Sequence, residues 1–114
     1  MNNLRIFTIS WVFVIVSLPI AAQYTTGSIG GTVVDQSGAI VPDATVRVEN
    51  TETGVSRRVQ TNQGGQFVFP TLQVGKYRLQ VEKTGFSSYL QEGITVAVYQ
   101  ALSQTISLSV GAAG

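Results

Sequence analysis

The chain contains no cysteine and no histidine among its 114 residues. Without a thiol or an imidazole it cannot form a His-based catalytic triad, a thiolate nucleophile or a zinc site of His and Cys ligands. The missing cysteines also exclude disulfides, which stabilise many small exported domains. A folded domain of this length must therefore be held together by apolar burial between packed layers.

Charge is also scarce, since only 11% of the residues are charged and the formal net charge is +1. Arg5 is the only charged residue before position 23, so basic and acidic residues balance in the rest of the chain. A near-neutral surface does not attract a polyanion, and we predict no nucleic-acid partner. The one basic doublet, Arg57-Arg58, is better explained as a solvated strand face than as a phosphate site.

The first 22 residues form the one long apolar stretch. Met1 to Arg5 carries a positive charge, Ile6 to Leu18 is apolar except for three hydroxyl residues, and the stretch ends in Ala21-Ala22. This is the pattern of a helical secretory signal peptide cleaved between Ala22 and Gln23. A retained transmembrane anchor is the alternative, but the run is shorter than the roughly 20 residues that span a bilayer. We expect export to the periplasm, outer membrane or cell surface, with membrane contact only through an uncleaved leader.

After a lead-in over residues 23–28, the chain alternates between apolar and polar residues as far as position 110. Tyr77, Leu79 and Val81, for example, share one face and alternate with polar or charged residues. Seven or eight such segments separated by turn signals, with no amphipathic helical window, predict an all-β, seven-stranded antiparallel β-sandwich. A small barrel is the alternative. The tail at 111–114 is typical of a linker.

Five local features stand out, and the first four carry specific predictions. The adjacent glycines Gly30-Gly31 indicate a bulge or a close backbone approach. Arg57 shares a face with two valines, which predicts either an edge strand or a bulge. Pro70 is expected to end its strand, and Glu92-Gly93 is expected to form a turn. In the last strand, Gln104 is the single polar residue on an otherwise apolar face.

A series of motifs in fixed order resembles the carboxypeptidase regulatory-like domain over roughly Gly27 to Val110. The motifs are Gly31-x-Val33-x-Asp35-x-x-Gly38, Val41-Pro42-x-Ala44-x-Val46, Thr61-x-x-x-Gly65-x-Phe67, Leu72-x-x-Gly75-x-Tyr77-x-Leu79-x-Val81 and Gly85-Phe86. The resemblance implies a transthyretin-like sandwich, grouped with carbohydrate-binding-like folds. Two positions depart from the family pattern: Asn62 stands where the family often has Asp, which lowers the expectation of a cation, and Val74 stands where it often has Pro.

The leader, the domain and the small-residue tail together resemble the amino-terminal end of bacterial TonB-dependent receptor-like outer-membrane proteins. In those proteins this module precedes a plug and a β-barrel. The resemblance implies an exported accessory domain whose partner is a downstream plug or barrel, or another envelope protein domain. We expect the loops Asp35 to Pro42, Gln73 to Gly75 and Gly85 to Ser88 to form its contact surface at one end.

The residues predict no catalytic group, cofactor or metal site, and hence no enzyme. The carboxypeptidase activity in the family name belongs to a separate zinc-bearing domain, and this chain lacks the ligands. Paired carboxylates are enough for glycoside hydrolysis. However, Asp35 and Asp43 fall in predicted turns, and the glutamates fall on predicted solvent-facing positions or in loops.

Carbohydrate binding is the alternative function, because sugar faces stack on exposed aromatic rings. The only tryptophan, Trp11, lies in the leader. Phe67, Phe69 and Tyr77 fall on predicted core faces, which leaves Tyr89 and Tyr99 as the candidate pair for a polysaccharide. Strand addition at the edge that carries Arg57 is a third possibility, although its two arginines are also what discourages such pairing.

Overall fold

The fold was examined in a computed structural model, which describes residues 10–15 and 25–111. Seven strands and no helix occur in these residues. The strands are β1 (Thr26–Asp35), β2 (Thr45–Asn50), β3 (Ser56–Gln60), β4 (Gln66–Gln73), β5 (Gly75–Glu82), β6 (Tyr89–Val96) and β7 (Ala101–Leu108). They form a three-stranded sheet of order β4-β1-β7 and a four-stranded sheet of order β3-β2-β5-β6. The predicted all-β, seven-stranded sandwich is confirmed.

The core lies between the two sheets and is filled by the alternating apolar residues. Along β5, Tyr77, Leu79 and Val81 are buried while the residues between them reach solvent. Phe67 and Phe69 point inward from β4, and their rings meet edge to face with centroids 6.2 Å apart. The prediction that these three aromatic residues belong to the core is confirmed. Burial of such side chains contributes about 1.5–3 kcal/mol each, which a domain without disulfides requires.

One pair of strands differs from the all-antiparallel expectation. β1 and β7 run parallel, with Ser28 opposite Ala101 and Asp35 opposite Leu108. All the other pairs are antiparallel. A parallel neighbour requires a long connection, and here the five intervening strands supply it. Alternation within a strand reports its buried face and carries no information on the direction of its neighbour.

Pro70 and Gly93 both lie inside strands, although the sequence predicted a strand end at Pro70 and a turn at Gly93. β4 continues through Pro70, because the register between β1 and β4 shifts there and the exposed proline needs no ladder donor. β6 continues through Gly93, whose φ of 72° accommodates a bulge where the β5–β6 register shifts. The predictions of a strand end at Pro70 and a turn at Glu92-Gly93 were wrong for the same reason, since a bulge uses turn residues without reversing the chain.

The ambiguous strand β3 is an edge strand, as one of the two readings predicted. Among the described strands it pairs with β2 alone, with Arg57 opposite Val48. The Arg57 guanidinium donates to the Thr71 carbonyl on β4 of the other sheet. An arginine can therefore share a face with valines here because it lies at the open side of the sandwich.

The described part of the predicted leader is Ser10 to Ile15, and it is not helical. These six residues are exposed, and Val12, Val14 and Ile15 are β-branched, which lowers helix propensity. No helix in residues 10–15 and 25–111 has the length and apolar character to cross a membrane. The predicted cleavage point at Ala22 and Gln23 lies outside the described residues, as does all of the tail but Gly111.

Candidate functional site

Three loops meet at the end of the sandwich where β1 finishes. They connect β1 to β2, β3 to β4, and β5 to β6 and cover residues 36–44, 61–65 and 83–88. Two of the three predicted contact loops, Asp35 to Pro42 and Gly85 to Ser88, lie at this end. The third, Gln73 to Gly75, does not, because antiparallel pairing places Gln73 beside Thr26 at the start of β1. We call residues 35–44, 61–65 and 83–88 the Asp35 end.

The first loop of the Asp35 end is held by a carboxylate. Oδ1 of Asp35 accepts hydrogen bonds from the amide of Ser37 (2.8 Å), the hydroxyl of Ser37 (2.6 Å) and the amide of Ala39 (3.0 Å). The hydroxyl bond is the main cause that lowers the pKa of Asp35 below its ordinary value. The carboxylate therefore stays ionised and serves the turn itself.

The second loop is joined to the first by a buried threonine. The hydroxyl of Thr61 donates to the Val41 carbonyl (2.8 Å) and accepts from the Ala44 amide (2.9 Å), and only 2% of the residue is exposed. These bonds satisfy two backbone groups that the core would otherwise leave unpaired. Thr61 is part of one of the family motifs, but the sequence did not indicate that its hydroxyl joins the two loops.

Asn62, the departure from the family pattern, also has a structural use. Its Oδ1 accepts from the amides of Gly64 (3.0 Å) and Gln66 (2.9 Å) and so closes the turn before β4. An amide oxygen performs this task as well as a carboxylate does. Because the oxygen is engaged by two backbone donors, the turn does not present a free ligand toward solvent.

A shallow groove of about 490 Å³ opens at the Asp35 end between the start of β2 and the 83–88 loop. Asp43, Glu82 and Lys83 line it together with Phe86. The groove therefore combines charges of both signs with one half-buried ring. Such a surface suits contact with another protein segment better than it suits a small ligand, which favours an enclosed apolar pocket.

The acidic residues do not assemble into a metal centre in residues 10–15 and 25–111. No group of three His, Cys, Asp or Glu side chains there could hold a metal ion. Glu49 pairs with Arg47 and Glu92 with Arg78, each at 3.1 Å, on the outer face of the four-stranded sheet. Surface pairs of this kind contribute about 0–1 kcal/mol.

The structure does not bring the two candidate sugar-binding tyrosines together. Tyr89 begins β6, is half-buried against the core, and donates its hydroxyl to Oε1 of Gln91 (3.1 Å). Tyr99 lies beyond the opposite end of β6 in a tight turn, with φ of 57° and 86% of its surface exposed. The length of β6 alone separates them by about 23 Å. One sugar platform cannot use both rings, and sequence alternation could not show this because it does not count distance along a strand.

The sequence of the sandwich matches the model of a known protein family. The model of the carboxypeptidase regulatory-like domain matches residues 28–109, which is most of the chain. This chain belongs to that family. The motifs from Gly31 to Phe86 that suggested the resemblance all lie inside the match. A comparison with curated protein sequences finds no match.

Solved structures share the fold at low sequence identity. Catechol 1,2-dioxygenase of Acinetobacter radioresistens is 14% identical with a TM-score of 0.65, and the match covers 81% of this chain and 54% of the enzyme. Hydroxyquinol 1,2-dioxygenase of Pseudomonas putida is 8% identical with a TM-score of 0.63, covering 76% and 57%. A putative carbohydrate-binding protein of Bacteroides uniformis is 16% identical with a TM-score of 0.59, covering 72% and 40%. The chain thus spans about half the length of the dioxygenases it matches.

The prediction that this chain is not an enzyme is contradicted by these neighbours. Catechol and hydroxyquinol dioxygenases share the sandwich, so the fold does not separate binding modules from enzymes. At 8–14% identity the likeness shows the fold alone. The sequence reasoning weighed only His- and Cys-based chemistry and paired carboxylates, and the exclusion of those groups does not extend to every reaction.

Proposed function

We propose that this chain is an exported accessory domain that docks against a neighbouring domain of a bacterial envelope protein. The observation that carries the proposal is the run from Trp11 to Ile15. Its five consecutive large apolar side chains are 72–84% exposed, and none contributes to the core. Apolar residues that do not pack in the core of the sandwich are typical of a signal segment that the secretion machinery recognises.

The finer proposal is that the domain is the amino-terminal module of a TonB-dependent receptor-like outer-membrane protein. Its support is the order of leader, family domain and small-residue tail, together with the family match over residues 28–109. The docking surface in this proposal is the Asp35 end. Asp35, Thr61 and Asn62 hold its loops in place before any partner arrives, which reduces the entropy lost on binding.

Export is tested by expressing the full chain in a Gram-negative host and measuring its mass in the periplasmic fraction. We expect a periplasmic product that begins at Gln23. Val14→Arg should retain the chain in the cytoplasm, because a charge interrupts the apolar run. Val55→Arg, the same change at an exposed valine of the sandwich, serves as the matched control and should be exported normally. An intact chain that remains in the cytoplasm would disprove the proposal.

The receptor context is tested by reading the gene beyond the codon for Gly114. An open frame that encodes a plug followed by regularly alternating strands is the expected result. A stop codon at that point would refute the receptor assignment and leave the export proposal to its own test.

A polysaccharide ligand is the second candidate, and the exposure of Tyr99 favours it. A putative carbohydrate-binding protein is among the structural neighbours. In this version a single ring at the 97–100 turn replaces the pair that the sequence suggested. Tyr99→Ala should abolish retention on a polysaccharide column while Tyr99→Phe keeps it, because stacking needs the ring and not the hydroxyl. Equal retention of the two variants would exclude this role.

A further inference from the structure

The four edge strands of the sandwich are not equally protected against pairing. β3 carries Arg57 and Arg58, β4 contains Pro70 at a bulge, and β6 contains Glu92 at a bulge. Charges, prolines and bulges are the devices that keep edges from adding a strand. β7 has the sequence ALSQTISL, with no charge, no proline, no glycine and a regular register against β1. In the described part of the chain, residues 101–107 of this edge lack such a device, whereas Gly85 to Ser87 pair with the residues 109–111 that follow.

The backbone groups on the open side of β7 can be assigned. The Ser28 amide donates to the Gln100 carbonyl (2.8 Å), so the even-numbered residues that follow direct their N–H and C=O toward β1. The odd-numbered residues face away from β1. Ser109 confirms this parity, because its carbonyl accepts from the Ser87 amide on the opposite side (2.8 Å). The residues that present backbone donors and acceptors at the open edge are therefore Ala101, Ser103, Thr105 and Ser107.

The side chains around this edge are uncharged and small. Ser103, Thr105 and Ser107 are exposed on the outer face of the sheet. Gly30 and Val68 continue that face in β1 and β4, along a groove of about 570 Å³ that no charged side chain lines. The outer face of the other sheet, by contrast, carries Arg47, Glu49, Arg78 and Glu92. The uncharged face can meet a copy of itself without repulsion between like charges.

We propose that β7 pairs with β7 of a second copy of this chain, antiparallel across a two-fold axis. In such a pairing, the residues whose backbone groups face the open edge must form the hydrogen-bonded pairs. A two-fold axis that passes through Gln104 allows all four of these residues to form them. This register sets Ser103 opposite Thr105 of the second copy and Ala101 opposite Ser107. The pairing joins two three-stranded sheets into one of six strands, and a two-fold axis makes the interface self-complementary.

One otherwise unexplained feature agrees with this register. Gln104, the polar residue on the apolar face of β7, is half-buried and comes to lie on the axis, where its amide can bond to the amide of its symmetry mate.

The first test is sedimentation equilibrium of the full chain over a range of concentrations. We expect a monomer–dimer equilibrium that Ser103→Lys/Thr105→Lys weakens by about tenfold or more, because two like-charged cross-strand pairs form. Ser103→Glu/Thr105→Lys sets opposite charges across the same pairs and should restore the wild-type association. Gln66→Lys/Val68→Lys adds the same charge to the same face at the other edge, and this control should not change it.

The second test uses the absence of cysteine in the native chain. Gln104→Cys places one thiol at the axis, where the facing Cα atoms of a non-hydrogen-bonded pair lie about 4.5 Å apart, within disulfide range. Ser103→Cys is the control, since its symmetry mate is diagonal to it at about 7–8 Å. Oxidation should link Gln104→Cys far more completely than Ser103→Cys.

A wild-type chain that stays monomeric at every concentration would overturn the proposal. The proposal would also be overturned if the two lysines in β7 weakened association no more than the two lysines in β4 do. Equal disulfide yields for the two cysteine variants would overturn the register. If the chain is monomeric and β7 instead binds an extended segment of another protein, the partner is not a second copy and the proposal fails.

Discussion

Replacing Gly31 with alanine should separate β7 from β1. A Cβ added at Gly31 would lie 2.0 Å from the carbonyl oxygen of Gln104 and 3.1 Å from Cε1 of Phe67. The oxygen belongs to the backbone of β7 and the ring belongs to the core, so neither can withdraw without breaking strand pairing or packing. This is the close backbone approach that the Gly30-Gly31 pair indicated.

The expected cost follows from two opposing effects. Overpacking a core site costs about 1–3 kcal/mol. The contact here is shorter than ordinary overpacking produces, which places the cost at the upper end of that range. Alanine returns about 0.4–1 kcal/mol by restricting the unfolded chain. The net loss is about 2 kcal/mol, and with a urea m-value of about 1 kcal/mol/M the unfolding midpoint should fall by about 2 M.

The assay is urea unfolding followed by far-ultraviolet circular dichroism, because the only tryptophan lies outside the sandwich. Gly30→Ala is the matched control: its Cβ would lie on the outer face, 3.3 Å from the nearest atom, the Phe67 carbonyl oxygen. We expect that control to change stability by less than about 0.5 kcal/mol. A Gly31→Ala variant as stable as Gly30→Ala would refute the packing of β1 against β7 described here.

Three further predictions concern the Asp35 end and the core. Thr61→Val should lower the free energy of unfolding, measured in urea, by about 1–3 kcal/mol, because the buried Ala44 amide and Val41 carbonyl lose their partner. Thr95→Val, at an exposed position, should leave it unchanged. Equal losses of stability in the two variants would contradict the role of Thr61. Ser37→Ala should raise the pKa of Asp35 toward its ordinary value. The lowered pKa of Asp35 stabilises the folded state at pH values above its unfolded-state pKa of about 4. That stabilisation is lost as the pH falls through the folded-state pKa, so the variant should lose less stability on acidification than the wild type. An unchanged dependence of stability on pH would contradict the cause assigned here. Phe69→Ala should cost about 3–5 kcal/mol and Val68→Ala, its exposed neighbour, far less, as thermal unfolding would show; similar values for the two would contradict the inward orientation of Phe69.

Much of the Asp35 end escaped prediction for a physical reason. Asp35 and Asn62 were recognisable as turn residues, because short polar side chains bond to nearby backbone amides and the partners lie within four positions. Thr61 was not recognisable, since its partners lie 17 and 20 residues away. The assembly of the three loops also depended on strand direction, and for that reason Gln73 to Gly75 was assigned to the wrong end.

The sequence by itself determined which aromatic side chains of β4 and β5 are buried and that the domain is an all-β sandwich. Alternation has a period of two because successive side chains leave a strand on opposite faces, and this local property identified Phe67, Phe69 and Tyr77 as core residues. Only the tertiary structure decided that β7 runs parallel to β1, that Pro70 and Gly93 lie inside strands, and that the two candidate tyrosines lie apart. Pairing partners, bulges and edges depend on contacts between segments distant along the chain, and a periodicity read within one segment carries no information about them.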